Sequence, residues 1–283
     1  MENMDGLTRF PRGRRFMMTG LMTGLTLATT RVEAQVIHTD TAGIDAGEVG
    51  VSVSDGAVPT YYARPEGNGP FPIVLVNEEI FGVHDYIKDV CRRLAKLGYL
   101  AVAPEIYARI ADMAKITDFT NINRDVISKA PDATVMSDLD ATAAWAAANK
   151  GDANRLGVIG FCRGGRNTWL YDARNPGLKA AVAWYGPIGG PRTDIQPKTA
   201  ADVGEAIHAP LLALQGGQDA AIRVEDLQAL AAQARAAGKT VEVVVYPDAP
   251  HGFHADYRPS YRPADAADGW QRMLAWLKKY GVA

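Results

Sequence analysis

Short apolar runs recur along the chain, and longer stretches with apolar positions every three or four residues separate them. Ile73–Asn77, Tyr99–Ala103, Leu156–Gly160, Leu178–Trp184, Leu211–Leu214 and Val241–Val245 are largely apolar, as strands buried on both faces are. Val83–Leu97 places Val83, Ile87, Val90, Leu94 and Leu97 at helical spacing and stops at Gly98. Ala133–Ala148 reads as a helix with Asp132, after Pro131, as its N-cap. Val224–Ala237 and Ala264–Tyr280 complete the helices. Strands alternating with helices predict an α/β fold, a mainly parallel central sheet with helices on both faces. Before this pattern, Glu48–Ser54 and Thr60–Ala63 alternate in polarity around Asp55-Gly56, which predicts a hairpin. Pro187 to Gly204 is the longest irregular stretch and is expected to border a site. No repeat or interdomain linker breaks residues 35–283, which read as one domain.

The first 34 residues follow a different pattern. Arg9, Arg12, Arg14 and Arg15 form a basic leader, and Phe16–Ala28 is apolar but diluted by Gly and Thr. Val32-Glu33-Ala34 has small residues where an export signal is cut. The Arg14-Arg15 pair suggests the twin-arginine route, although Met17 stands where Phe is usual. The apolar run is too short to span a bilayer, so the mature chain is expected to carry no membrane span and to be periplasmic or secreted. A cytoplasmic chain with a polar N-terminal extension is the alternative.

Composition narrows the function. Apolar residues make up 47% and charged residues 22%, enough apolar surface for a full core. The net charge of −2 provides no basic field for nucleic acid. Two cysteines, Cys91 and Cys162, are too few for a disulfide framework or a zinc site. Cys162 is therefore read as a thiol.

In an open α/β sheet, ligands bind at the carboxyl ends of the strands. Leu156–Gly160 runs into Gly160-Phe161-Cys162-Arg163-Gly164, a nucleophile elbow with cysteine in place of serine. The sharp strand-to-helix turn leaves no room for side chains two residues either side of the nucleophile, hence Gly160 and Gly164. Asp219 follows Leu211–Leu214 and His251 follows Val241–Val245. The order Cys162, Asp219, His251 is that of an α/β-hydrolase triad. His251 would shuttle the proton and Asp219 would fix its tautomer, with Asp248 the rival acid. His254, His84, His38 and His208 are weaker candidates for the base. The oxyanion hole is expected from the backbone N–H groups of Arg163 and Ile80. The Arg163 side chain would lie beside the thiol or on the surface. Arg109 could hold a substrate carboxylate, or be a surface arginine at a helix start. A full triad argues against a protein that only binds.

Glu79-Ile80-Phe81-Gly82, Pro104-Glu105-Ile106-Tyr107-Ala108-Arg109, the Cys162 elbow with Gly165, Tyr185-Gly186, Gly217-Gln218-Asp219 and His251-Gly252-Phe253 occur in this order. Together they resemble the dienelactone hydrolase (carboxymethylenebutenolidase) family of α/β-hydrolases, from about Gly50 to the C-terminus. The resemblance implies a Cys–His–Asp hydrolase that opens the cyclic enol ester 4-carboxymethylenebut-2-en-4-olide to maleylacetate. It implies that Glu79 holds the resting thiol and turns away when substrate arrives, and that Arg109 and Tyr185 help place the substrate. It implies no metal or organic cofactor. The partner expected is a small-molecule lactone or ester, and the chain is expected to be a monomer. Three features depart from the archetype. Ala255 stands where a second carboxylate-binding arginine is usual, with Arg258 out of register. Arg163 replaces an apolar residue after the nucleophile, and the leader is an addition. A broader carboxylesterase or thioesterase on the same fold therefore stays open.

The leader generates the first prediction. Protein purified from the periplasm of its native host should begin near Gln35 by intact-mass measurement. A full-length chain confined to the cytoplasm would overturn the export assignment.

Overall fold

The computed structural model of the protein describes residues 36–283, so the leader expected over residues 1–34 lies outside the described residues. Eight strands form one sheet: β1 (Ile44–Val53), β2 (Gly56–Pro65), β3 (Phe71–Asn77), β4 (Leu100–Pro104), β5 (Gly151–Phe161), β6 (Ala180–Trp184), β7 (Leu211–Gly216) and β8 (Val241–Tyr246). Their spatial order is β1-β2-β4-β3-β5-β6-β7-β8. The hairpin β1–β2 pairs antiparallel with itself and with β4, and every pair from β4 through β8 is parallel. Among the described residues, five helices have twelve residues or more: α1 (Asp85–Lys96), α2 (Asp132–Ala148), α3 (Arg163–Arg174), α4 (Val224–Ala236) and α5 (Pro263–Lys279).

Alternation along the strands divides the core. Ile73 and Leu75 of β3 face one cluster with Leu139 of α2, Trp169 of α3 and Leu230 of α4. Val74 and Val76 face the other, with Ile87 and Leu94 of α1 and Met273 and Leu277 of α5. Both faces of the parallel strands are thus covered, which explains why those strands read as unbroken apolar runs. The chain was expected to form this α/β arrangement, and it does.

Local differences have local causes. The hairpin turn is Ser54-Asp55, because Val53 pairs with Gly56 and Gly56 opens β2 at φ +145°. β5 starts at Gly151, five residues before its apolar run, because Gly151 and Asp152 pair with Phe71 and Pro72 at an exposed end. Asp132 is the first residue inside α2 and Pro131 holds the cap position. The Asp132 carboxylate instead takes both terminal nitrogens of buried Arg166, at 2.8 Å each, joining α2 to α3. The Pro187–Gly204 stretch contains a short helical turn, Ala200–Val203, closed by a Thr199–Asp202 capping box.

Candidate active site

At the end of β5, Cys162 is the N-cap of α3, with φ 53° and ψ −120°. This backbone region is strained for any residue with a Cβ, so the surroundings must enforce it. A Cβ on Gly160 would fall 2.1 Å from the Gly164 carbonyl oxygen. A Cβ on Gly164 would fall 2.3 Å from the Asn77 oxygen and 2.5 Å from the Glu78 oxygen. The missing side chains let the start of α3 press against both its own strand and the end of β3. The Cys162 N–H donates to the Trp184 oxygen at 3.0 Å, which ties the elbow to β6. Cys162 is half-buried, and both it and Cys91 are free thiols.

The loops after β7 and β8 bring the acid and the base together. His251 Nδ1 lies 2.7 Å from Asp219 Oδ2. Asp219 is buried, and its other oxygen accepts the Ala221 N–H at 2.9 Å. Gln215 Nε2 also donates to Asp219, at 3.2 Å. Asp219, and not Asp248, therefore partners the ring. Burial works against a charged His251, but hydrogen bonds to Asp219 and Cys162 carry its pKa up to about 10. For Asp219, burial raises the pKa and the bond to His251 outweighs it, so the carboxyl is held below its usual range.

Arg163 opens α3, so its N–H has no partner within the helix. Ile80 lies in the turn after β3. Neither N–H donates to a backbone carbonyl among the described residues. The Arg163 side chain is not a free surface cation: Nη2 donates to Gln196 at 2.9 Å, and Gln196 anchors to the Ile127 and Ala130 carbonyls. The Pro187–Gly204 loop thus reaches the elbow through Gln196.

Three placements differ from the sequence expectations. Arg109 does not face the thiol region as a free cation, since its guanidinium is shared between Asp55 and Asp138 at 2.6–3.0 Å. It locks the hairpin turn to α2. Tyr185 is fully buried, with its ring edge-on to His251 at 5.1 Å, and it backs the histidine instead of presenting a surface to substrate. Glu79 does not hold the resting thiol. It is fully buried and accepts a hydrogen bond from the Tyr257 hydroxyl, with His84 Nε2 and Arg258 Nη1 each 3.7 Å away. Burial disfavours its charge, but His84, Arg258 and Tyr257 together hold the carboxyl below its usual range. A carboxylate with no solvent needs such partners, and Glu79 Oε1 still has no hydrogen bond among the described residues.

Residue spacing missed Tyr257, and it set Arg258 aside as out of register and His84 as a weaker base. Tyr257 and Arg258 lie on the irregular chain after His251, where no periodicity operates. Gly252, at φ +76°, makes their approach possible, because a Cβ there would lie 2.5 Å from Arg258 Nη1. The Arg258 guanidinium lies over the rings of Phe81 and Tyr257, at 5.2 and 5.9 Å. His84, Tyr257 and Arg258 also wall an open cavity of about 570 Å³, with Phe81, Met113 and Phe119 on its apolar side. Cys162 is not among the residues that line it. His254 is buried, bonded at 2.6 Å to the Tyr86 hydroxyl, and burial lowers its pKa to about 3, so it is no general base. Among the described residues, no group of three His, Cys, Asp or Glu side chains is arranged to hold a metal ion.

Residues 58–281 match the model of the dienelactone hydrolase family. The chain belongs to that family, whose members are hydrolases of carboxylic ester bonds. A Methylorubrum extorquens protein named "Putative carboxymethylenebutenolidase" is 53% identical over 95% of this chain and 94% of its own length. An Escherichia coli K12 protein of the same name is 47% identical over 94% of this chain and 98% of its own length. A crystal structure from Klebsiella pneumoniae, described as a "Putative Dienelactone Hydrolase", superposes with a TM-score of 0.81 at 50% identity, covering 84% of this chain and 99% of that one. The family thus agrees with the α/β-hydrolase architecture.

His251 owes its raised pKa to hydrogen bonds with Asp219 and Cys162, so Asp219→Asn should lower it, as read by NMR titration of the ring. The sign for stability follows. A histidine with a raised folded pKa contributes stability that is complete below its unfolded value, about 6.5. That contribution is lost as pH rises towards about 10. The free energy of unfolding should fall across this window in the native protein, and fall less in Asp219→Asn. Equal slopes would remove Asp219 from the coupling.

Proposed function

We propose that Cys162, His251 and Asp219 form a catalytic triad that hydrolyses lactones or enol esters through an acyl-cysteine intermediate. The observation that carries the reading is the His251 ring, bonded through Nδ1 to buried Asp219, with Cys162 of the elbow among the groups that raise its pKa. The Cys162 sulfur attacks the ester carbonyl carbon with its proton already held on His251, whose pKa of about 10 keeps the ring charged at neutral pH. The N–H groups of Arg163 and Ile80 donate hydrogen bonds to the oxyanion of the tetrahedral intermediate. Collapse breaks the C–O bond, and His251 returns the proton to the leaving oxygen. In a lactone that oxygen stays tethered to the acyl group, and an enol product then tautomerises to the ketone. Water next attacks the thioester while His251 takes its proton. The C–S bond breaks, the sulfur recovers the proton and the carboxylic acid leaves.

The substrate class follows from the cations. Arg109 is committed to Asp55 and Asp138. Arg258 instead borders the cavity and rests on aromatic faces. A substrate carboxylate would bind Arg258 there, doing from the seventh position after His251 what Ala255 cannot. It would also compete with Glu79 for the guanidinium, freeing the Glu79 carboxylate to move at the moment of binding. The broader esterase reading keeps the same triad and drops the requirement for an acidic group.

Cys162→Ala should keep its circular dichroism and lose turnover of a chromogenic aryl ester by about 10³-fold or more. Near-native turnover would end the elbow assignment. With the native thiol in place, Arg258→Gln should cut kcat/KM for an authentic dienelactone about 10-fold more than for a neutral aryl ester. Equal losses on both would support the broader esterase instead.

A further inference from the structure

Two carboxyl groups near the site take no part in these steps. Glu78, at the end of β3, is wholly buried, and its Oε1 accepts the Ile106 N–H at 2.9 Å. Glu105, after β4, accepts the Val83 N–H through Oε2 at 2.8 Å. Their remaining oxygens, Glu78 Oε2 and Glu105 Oε1, are buried and have no hydrogen-bond partner among the described residues. Glu78 bonds the N–H of Ile106, the residue after Glu105, which sets the two carboxyl groups side by side. Two carboxylates would repel there, and neither could donate to the other. A single proton shared between them would make an O–H···O⁻ bond and satisfy both buried oxygens at once.

The topology of these bonds gives them a use. Glu78 immediately precedes the segment Glu79–Gly82 and Val83 immediately follows it. Each end of the segment is bonded to the β4 loop, one through Glu78 to Ile106 and the other through Val83 to Glu105. The segment itself carries Glu79 and the Ile80 N–H. Gly82, at φ +81°, brings the segment close enough to Glu105 that a Cβ would lie 2.8 Å from Oε2.

We infer that Glu78 and Glu105, sharing one proton, form a clamp that positions the Ile80 N–H and Glu79 for reaction, and that loss of the proton at alkaline pH releases them. Both are positioning residues, since neither touches the reacting atoms. The inference rests on the reading of Ile80 as an oxyanion donor. Burial, and then the neighbouring Glu105, push the Glu78 carboxyl well above the ordinary range, which assigns the proton to Glu78. The other titratable groups facing the pair are few. His84 at the start of α1 favours a charged Glu105 and Asp112 opposes it. The Tyr107 hydroxyl faces Glu78 from the β4 loop, and Arg163 and Cys162 lie beyond it at the elbow.

The test compares two substitutions. In Glu78→Gln the amide oxygen can still accept from Ile106 and the amide nitrogen can donate to Glu105, with no shared proton. In Glu78→Leu the Ile106 N–H and the Glu105 carboxylate are both stranded. On a neutral aryl ester, Glu78→Leu should lower kcat about 10- to 100-fold with KM within about threefold, and Glu78→Gln should restore most of it. Glu78→Gln should also move the alkaline loss of kcat upward by about one pH unit or more. Difference infrared spectra of Cys162→Ala at pH about 8 should contain a protonated-carboxyl C=O band that disappears when Glu78→Gln is added. This reading needs no turnover. Absence of the band, or an alkaline limb that Glu78→Gln leaves in place, would overturn the clamp. If Glu78→Leu fails to fold, the band and the Glu78→Gln profile decide the matter. The triad is tested separately by the activity of Cys162→Ala, so the clamp can fail while the triad stands.

Discussion

The close approach of two backbones governs this site. The start of α3 lies against the end of β3 because Gly164 has no side chain to separate it from the carbonyls of Asn77 and Glu78. The same absence at Gly160 lets the helix turn back over its own strand. Cys162 is left at a backbone angle that costs on the order of 1–3 kcal/mol, and the packing of three strands overrides it. Nucleophile, helix N-terminus and Glu79–Val83 segment therefore arrive together. Widening the contact by one methyl group would separate the thiol from the Glu79–Val83 segment.

Around that contact the protein gathers three acids. Glu78 and Glu79 are both fully buried at the end of β3, and Glu105 is half-buried beside them. Each meets its desolvation cost differently. Glu79 remains charged by gathering Tyr257, His84 and Arg258. Glu78 remains neutral by holding a proton against Glu105. Adjacent positions just after β3 thus reach opposite charge states, because their side chains meet different neighbours. The charged member belongs to the cavity that would admit substrate, and the neutral member to the scaffold beneath it.

Burial also sorts the histidines. His251 and His254 are three residues apart, yet one is raised to about 10 and the other lowered to about 3. His251 has a carboxylate and the thiol region to stabilise its cation. His254 is enclosed by Trp184, Phe161 and Trp270, with the Tyr86 hydroxyl as its polar contact. Two histidines of one loop differ here only in the company they keep.

The amino-acid sequence alone determined the alternation of strands and helices, the elbow and the order of Cys162, Asp219 and His251. These features depend on hydrophobic periodicity, on glycines where no Cβ fits, and on which residues follow each strand, all of which are local. It also carried the family motifs, since they lie at those strand ends. Tertiary structure decided the partners. Arg109 was legible as a cation after β4, but only the folded hairpin brings Asp55 beside it, opposite Asp138 of α2. Glu79 was legible as an acid at a strand end, but Tyr257 and Arg258 come from 178 and 179 residues away along the chain, on a loop without periodicity. The charge state of a buried group is set by desolvation and by neighbours within a few ångströms, and sequence distance carries almost no information about either.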